Sequence, residues 1–70
     1  MRKCIKIKGM YSRKCASVVE HILSDLGGKN IFVDTLDDYA LADISADDED
    51  IIDAIEEEGF DVYEITTDNR

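Results

Sequence analysis

The sequence predicts an α+β fold with six elements in the order strand, helix, strand, strand, helix, strand. Apolar residues recur at helical spacing in two segments, and four further segments have the alternation or composition of strands. The 70 residues are 44% apolar and contain no proline, which is typical of a compact globular unit. We therefore expect one small domain over residues 1–70.

The first strand is predicted at residues 3–8, because Ile5 and Ile7 alternate with other residues. The opposite side of this strand carries Cys4, Lys6 and Lys8. The first helix follows, with Ser12 as its N-cap and Gly27-Gly28 as its end. Its apolar stripe consists of Ala16, Val19, Ile22, Leu23 and Leu26.

Two strand-like runs, at residues 30–36 and 39–45, are joined as a hairpin at Asp37-Asp38. A second helix is predicted over residues 47–58, because its first turn is acidic and Gly59 follows as a stop. Its apolar stripe consists of Ile51, Ile52, Ala54 and Ile55.

The inward face of the middle hairpin is ambiguous, since either Ile31 and Val33 or Phe32 and Leu36 point to the core. We prefer the first pair, because the second would bury the Asp34 carboxylate without a partner.

The element order favours a ferredoxin-like two-layer sandwich (βαββαβ), with two helices on one face of a four-stranded antiparallel sheet. The last strand places Phe60 and Val62 on one face and Ile65 on the other. The second face of the sheet is then open. An aromatic patch there, from Phe32 or Tyr39, is a candidate homodimer surface.

Charge is unevenly distributed along this acidic chain, whose net charge is −9. Six of the eight basic residues lie in the first fourteen positions, and all seventeen acidic residues lie from Glu20 onward. Such a balance repels nucleic acid, while the basic region suits an acidic protein partner. Lysines interrupt Ile5 and Ile7, so we expect no signal peptide, no membrane span and a cytoplasmic location.

The loop after the first strand reads Gly9-Met10-Tyr11-Ser12-Arg13-Lys14-Cys15. Further matching positions are Val19-Glu20, Leu23, Leu26, Gly28, Ile52, Ala54-Ile55-Glu56 and Gly59-Phe60. Together they resemble the heavy-metal-associated domain family of copper chaperones, mercury-binding proteins and N-terminal modules of metal-transporting ATPases. The resemblance spans nearly the whole chain. It implies a ferredoxin-like fold in which two loop thiolates bind Cu(I) or another soft ion and pass it to a partner.

The chain departs from the family at Ser12, which stands where the first thiol is expected. Only Cys15 carries over as a metal ligand, because a hydroxyl is a hard, weak donor for a soft ion. Met10 matches a family methionine that packs in the core beneath the loop. The resemblance therefore implies a weak monothiol site that gains a second thiolate from a small thiol, a docked ATPase or other protein, or a metal-bridged second copy.

Cys15 has features that favour a thiolate. It lies in the first turn of a helix, beside unpaired backbone N–H groups, and it follows Arg13 and Lys14. We therefore expect its pKa to be lowered.

Neither of the two other candidate ligands completes the site. Cys4 lies near the far end of the first strand, which excludes a second metal bond and a disulfide to Cys15. His21 is six positions after Cys15 on the helix and faces away from it, so we expect a surface histidine.

Catalysis finds no support, because no nucleophile has a base at a plausible spacing and no glycine-rich phosphate loop is present. Two hypotheses remain, a soft-metal binding or transfer module and a metal-free interaction or regulatory module that kept the fold after losing the site. The retained Cys15 and its basic neighbours favour the first hypothesis.

Overall fold

The computed structural model describes residues 1–68, which form a four-stranded antiparallel sheet and two helices. The elements are β1 (Arg2–Lys8), α1 (Arg13–Asp25), β2 (Lys29–Asp34), β3 (Tyr39–Asp43), α2 (Asp48–Glu57) and β4 (Asp61–Asp68). The strand order is β2-β3-β1-β4. This confirms the ferredoxin-like α+β prediction. Neither described helix has the length and apolar character needed to cross a bilayer.

The core lies between the helices and one face of the sheet, as the alternation predicts. Ile5 and Ile7 of β1 are fully buried. They pack in one cluster with the apolar stripes of both helices. The fully buried helix residues are Val19, Leu23, Ile51 and Ile55. The outer side of β1 and its neighbours forms the open face of the sheet.

The hairpin has the preferred orientation, with Ile31 and Val33 packed against the core. Phe32 is 50% exposed and Leu36 is 92% exposed. The alternative would have buried Asp34, whose carboxylate instead lies at the turn. The preferred prediction is confirmed.

The hairpin turn is longer than predicted, and β2 ends at Asp34 rather than at residue 36. The Asp34 carboxylate accepts hydrogen bonds from the backbone N–H groups of Leu36 at 2.9 Å and Asp37 at 3.1 Å. This side chain gives the backbone a local alternative to the strand ladder. Leu36 therefore lies at the tip of the turn.

In β4, the prediction that Ile65 lies opposite Val62 is wrong. Ile7 pairs with Val62, but Ile5 pairs with Ile65, so the register shifts and Tyr63 is the extra residue. One extra residue inverts the alternation of a strand. Val62 and Ile65 therefore both pack against the core.

Lys3 is a charged residue on the core side of β1, and its side chain is only 8% exposed. Its Nζ donates to the Ala46 carbonyl at 2.8 Å and to Asp48 Oδ1 at 2.7 Å. A buried ammonium is tolerated when it is paired and hydrogen-bonded. These bonds tie β1 to the first residue of α2.

Three loops meet at the end of the sheet where β1 finishes. The Ile7 N–H donates to the Asp38 carbonyl at 2.9 Å, which brings the hairpin turn beside β1. Gly9 has a φ of 104°, and a Cβ there would lie 3.5 Å from the Phe60 ring. Gly9 therefore combines a left-handed backbone with a close approach to the loop after α2.

Candidate metal-binding loop

The loop between β1 and α1 passes from the core to the surface and back. Met10 is 2% exposed and belongs to the core cluster, as predicted. Tyr11, the next residue, is 93% exposed. Ser12 then begins α1 as its N-cap, in the extended backbone conformation. The buried methionine therefore anchors a loop whose remaining side chains face solvent.

Ser12 contacts Cys15 twice across the first turn of α1. Its Oγ accepts a hydrogen bond from the Cys15 backbone N–H at 3.4 Å, which is the N-cap interaction. The same hydroxyl lies 3.7 Å from Cys15 Sγ and donates to it. A single side chain thus caps the helix and holds the thiol.

These contacts lower the pKa of the Cys15 thiol below its ordinary value of 9.0. The largest cause is the hydrogen bond from the Ser12 hydroxyl, followed by a backbone hydrogen bond at Tyr11, with a smaller effect of the Lys14 charge. Each favours the thiolate, because each offers positive charge or a proton to the sulfur. The predicted direction is confirmed.

The main cause of this shift was not predicted from the sequence. The prediction rested on the helix N-terminus, Arg13 and Lys14, with Ser12 only as a cap. The available signal was the three-residue spacing, which places an N-cap hydroxyl beside the side chain one turn later. Arg13 lines the groove between α1 and β2 instead.

The structure keeps the other predicted candidates away from Cys15. Cys4 lies within β1, where its neighbours across the sheet are Leu41 and Thr66, and both cysteines are free. His21 is exposed on α1, as predicted. Within residues 1–68 no group of three His, Cys, Asp or Glu side chains is arranged to hold a metal ion.

The arrangement therefore offers one half-buried, hydrogen-bonded thiol with a lowered pKa at a helix N-terminus. Two exposed basic side chains, Arg13 and Lys14, flank it on α1. A thiolate is the ligand that a soft cation prefers, whereas the neighbouring hydroxyl is a poor one. The loop thus offers one sulfur atom as a ligand for such a cation, and a second ligand has to come from outside the loop.

Comparison with solved structures finds several close matches in fold. A copper binding domain from HMA7, a P-type ATPase, is 30% identical, covers 96% of each chain and gives a TM-score of 0.81. The CopZ metallochaperone is 24% identical over 90% of this chain and 100% of its own, with a TM-score of 0.81.

The N-terminal domain of PacS from Synechocystis PCC6803 is 20% identical over 90% of this chain and 94% of its own, at a TM-score of 0.79. No family model and no curated protein matches the sequence.

Proposed function

The chain belongs to the heavy-metal-associated domain family, and on that premise we propose that it binds a soft ion of the Cu(I) type through Cys15. The observation that carries the proposal is the contact between the Ser12 hydroxyl and Cys15 Sγ at 3.7 Å, which favours the thiolate. A thiolate is the form of cysteine that binds metal. The ion is cargo and not a resident cofactor.

One thiolate satisfies only half of a two-coordinate soft ion. The second sulfur has to come from outside the loop, because Cys4 lies within β1 on the other side of the sheet. Its source is a docked protein, a small thiol or Cys15 of another copy. Binding to the isolated chain is therefore weak, and release is easy.

We infer a role in transfer for the same reason. A site that needs a partner's thiolate holds its ion best while the partner is docked. Tyr11, Arg13 and Lys14 are exposed near Cys15 in the chain, and the two basic side chains provide a surface for an acidic partner. A metal-transporting ATPase is the partner class we propose, and the similar HMA7 domain comes from a P-type ATPase.

A second function, a metal-free interaction module, is favoured by one specific observation. The Ser12 hydroxyl already donates to the Cys15 sulfur, and within residues 1–68 no group of three His, Cys, Asp or Glu side chains is arranged to hold a metal ion. A loop that keeps its shape without metal is able to serve as a docking surface alone. This function predicts that Cys15 is dispensable.

A titration with Cu(I) under a competing chelator separates the two functions. The natural protein is compared with Cys15→Ser and with the matched control Cys4→Ser. We expect Cys15→Ser to lose binding and Cys4→Ser to retain it. If the natural protein binds no more tightly than Cys15→Ser, the metal function is wrong and the interaction module remains.

A further inference from the structure

On the open face of the sheet, one row of paired residues across all four strands is apolar or weakly polar. The register aligns Phe32, Leu41, Cys4 and Thr66. A shallow hollow of 480 Å³ lies beside Cys4, lined by Arg2, Lys3, Cys4, Leu41, Thr66 and Thr67. Both Cys4 and Leu41 are half-buried, and Leu41 is the larger of the two side chains. The face therefore presents a small side chain and a larger one on adjacent strands, with the hollow beside them.

Polar rows flank this apolar row on both sides. On one side the register aligns Asp34, Tyr39, Lys6 and Glu64. On the other side Arg2 pairs with Asp43, and their side chains form an ion pair at 3.2 Å. The basic residues Arg2 and Lys6 thus lie on β1, and the acidic Asp43 and the aromatic Tyr39 lie opposite them on β3. A partner that matches this face has to offer acidic or aromatic groups to β1.

This face is less acidic than the molecule as a whole. Its basic residues are Arg2, Lys6 and Lys8, and the register places five acidic residues on the same side, Asp34, Asp43, Asp61, Glu64 and Asp68. The first turn of α2, by contrast, is entirely acidic. Two copies of an acidic protein repel each other least through their most neutral side.

We propose that the open face associates with the open face of a second copy of this chain. The two copies are related by a two-fold axis that runs parallel to the strands between β1 and β3. Such an isologous contact uses the same patch on both copies, so each contact is made twice. The two sheets then lie ~10 Å apart, as in other face-to-face sheet pairs.

This axis places β1 of each copy over β3 of the other, and the contacts are complementary. Cys4 faces the partner's Leu41, which fills the hollow beside Cys4. Lys6 faces the partner's Tyr39, a cation over an aromatic ring. Arg2 faces the partner's Asp43. The apolar contact and the two contacts of the basic residues thus lie together at the centre of the interface.

The alternative axis, perpendicular to the strands, lacks this match. If it passes through the Cys4 row, it places Lys6 over the partner's Arg2, and like charges in contact repel. If it passes between the Cys4 and Lys6 rows, it places Cys4 over the partner's Lys6 and desolvates that charge against an uncharged neighbour. The order of residues along the strands therefore selects the first axis.

One contact in the proposed arrangement is unfavourable. At the edge of the face, Asp34 of β2 lies over the partner's Glu64, and like charges in contact repel. The face is also small, roughly 20 by 20 Å from strand length and spacing, or ~400 Å² per copy. Interfaces of this size are weak and transient.

Sedimentation equilibrium tests the proposal with the full chain, under chelator and reductant, at concentrations up to about 1 mM, where weak interfaces become populated. We expect a reversible dimer that Cys15→Ser does not alter. Leu41→Lys should weaken it by ~100-fold, because it buries two charges at the centre. The control Leu36→Lys changes an exposed leucine at the hairpin tip and should have no effect.

A second variant tests the axis itself. Glu64→Gln removes the like-charge contact and should strengthen the dimer by about two- to fivefold. The control Glu57→Gln removes one exposed negative charge from α2 and should change the affinity less. A protein that stays monomeric, a dimer that is insensitive to Leu41→Lys, or equal effects of the two glutamate variants would each overturn the proposal. None of these results bears on metal binding at Cys15.

Discussion

Helix α1 begins after Ser12 with two basic residues, Arg13 and Lys14, whereas α2 begins after Asp47 with acidic residues only. Those acidic residues are Asp48, Glu49 and Asp50. The first turn of α1 contains no acidic residue. Because a helix N-terminus carries partial positive charge, acidic side chains stabilise it and basic ones do not. The charges in the first turn of α2 therefore stabilise that helix, whereas those in the first turn of α1 do not.

The side-chain contacts at the N-termini of the two helices also differ. At α2 the buried Lys3 ammonium binds Ala46 and Asp48, so a strand of the core holds the helix in place. At α1 the Ser12 hydroxyl binds Cys15, and the positive end of the helix is left to the thiol. The α2 start is thus held by contacts with the buried Lys3, whereas at the α1 start the Ser12 hydroxyl both caps the helix and lowers the pKa of Cys15.

The largest expected effect comes from converting the α1 start into a two-thiol site. Ser12→Cys places a second thiolate one helical turn from Cys15, so none has to be recruited from elsewhere. We expect soft-metal affinity to rise by ~10²–10⁴-fold from this gain in effective concentration. A Cu(I) competition titration measures it, with Ser17→Cys as a control thiol further along α1. An affinity no higher than that of the natural protein would contradict the assignment of this loop as the metal loop.

The α2 start is broken by Lys3→Met, which keeps the buried stem and removes the ammonium. The two charged hydrogen bonds to Ala46 and Asp48 are lost, although half-exposed Asp48 remains partly solvated. We expect the free energy of unfolding to fall by about 2 kcal/mol. Urea denaturation measures it, with Lys6→Met on the open face as the control. Equal losses in both variants would show that the Lys3 contacts contribute nothing specific.

The next largest effect on stability is expected from removing the N-cap side chain of each helix. Ser12→Ala removes a capping bond and should cost about 1 kcal/mol. Asp47→Ala should cost less, because the Asp47 side chain makes no capping bond to the described residues. Thermal unfolding of the two variants at equal pH measures the difference. A larger loss for Asp47→Ala would reverse the assignment of roles to the two caps.

Ser12→Ala also has a signature in pH. The folded protein holds the pKa of Cys15 below the ordinary 9.0, so folding favours the thiolate. Its contribution to stability is therefore full above pH 9.0 and is lost as pH falls through the lowered pKa. Without the hydroxyl the pKa should rise and this pH dependence should shrink. Titration of thiolate absorbance measures the pKa directly.

Most of the fold was predictable from periodicity, because apolar residues at helical spacing mark both helices and alternation marks β1. The hairpin end and β4 were not, for different reasons. Asp34 diverts the backbone into a turn through its own carboxylate, which competes with a regular strand. The extra residue at Tyr63 depends on pairing with β1, a contact that local sequence does not encode.

The N-cap role of Ser12 was predictable from the sequence, but its contact with the Cys15 sulfur was not. Cys15 as a metal ligand stays a prediction. The direction of the thiol pKa followed from the helix end, whereas the hydroxyl-to-sulfur bond depends on a side-chain rotamer that only coordinates reveal. The buried position of Lys3 was not predicted either, because its hydrogen-bond partners lie more than forty residues away in the chain.

The smallest expected effect sharpens the comparison by giving α1 the electrostatics of α2. Lys14→Glu places an acidic residue in the first turn of α1, which should stabilise the helix by about 0.3–1 kcal/mol. The same change removes the smallest of the influences that lower the Cys15 pKa, after those of Ser12 and Tyr11, and adds a negative charge, so the thiol pKa should rise. Stability and thiolate fraction should therefore move in opposite directions.

Two measurements on this variant test that opposition, namely urea denaturation and the pH dependence of alkylation by iodoacetamide. Cys4→Ser in every protein makes the alkylation report on Cys15 alone. Lys29→Glu, which changes an exposed charge on β2, is the matched control and should alter neither quantity appreciably. If Lys14→Glu lowered the thiol pKa, or raised stability no more than Lys29→Glu, the two helix starts would not differ in the way their charges indicate. If both quantities change as expected, Lys14 lowers the stability of the helix start while it helps to lower the pKa of Cys15.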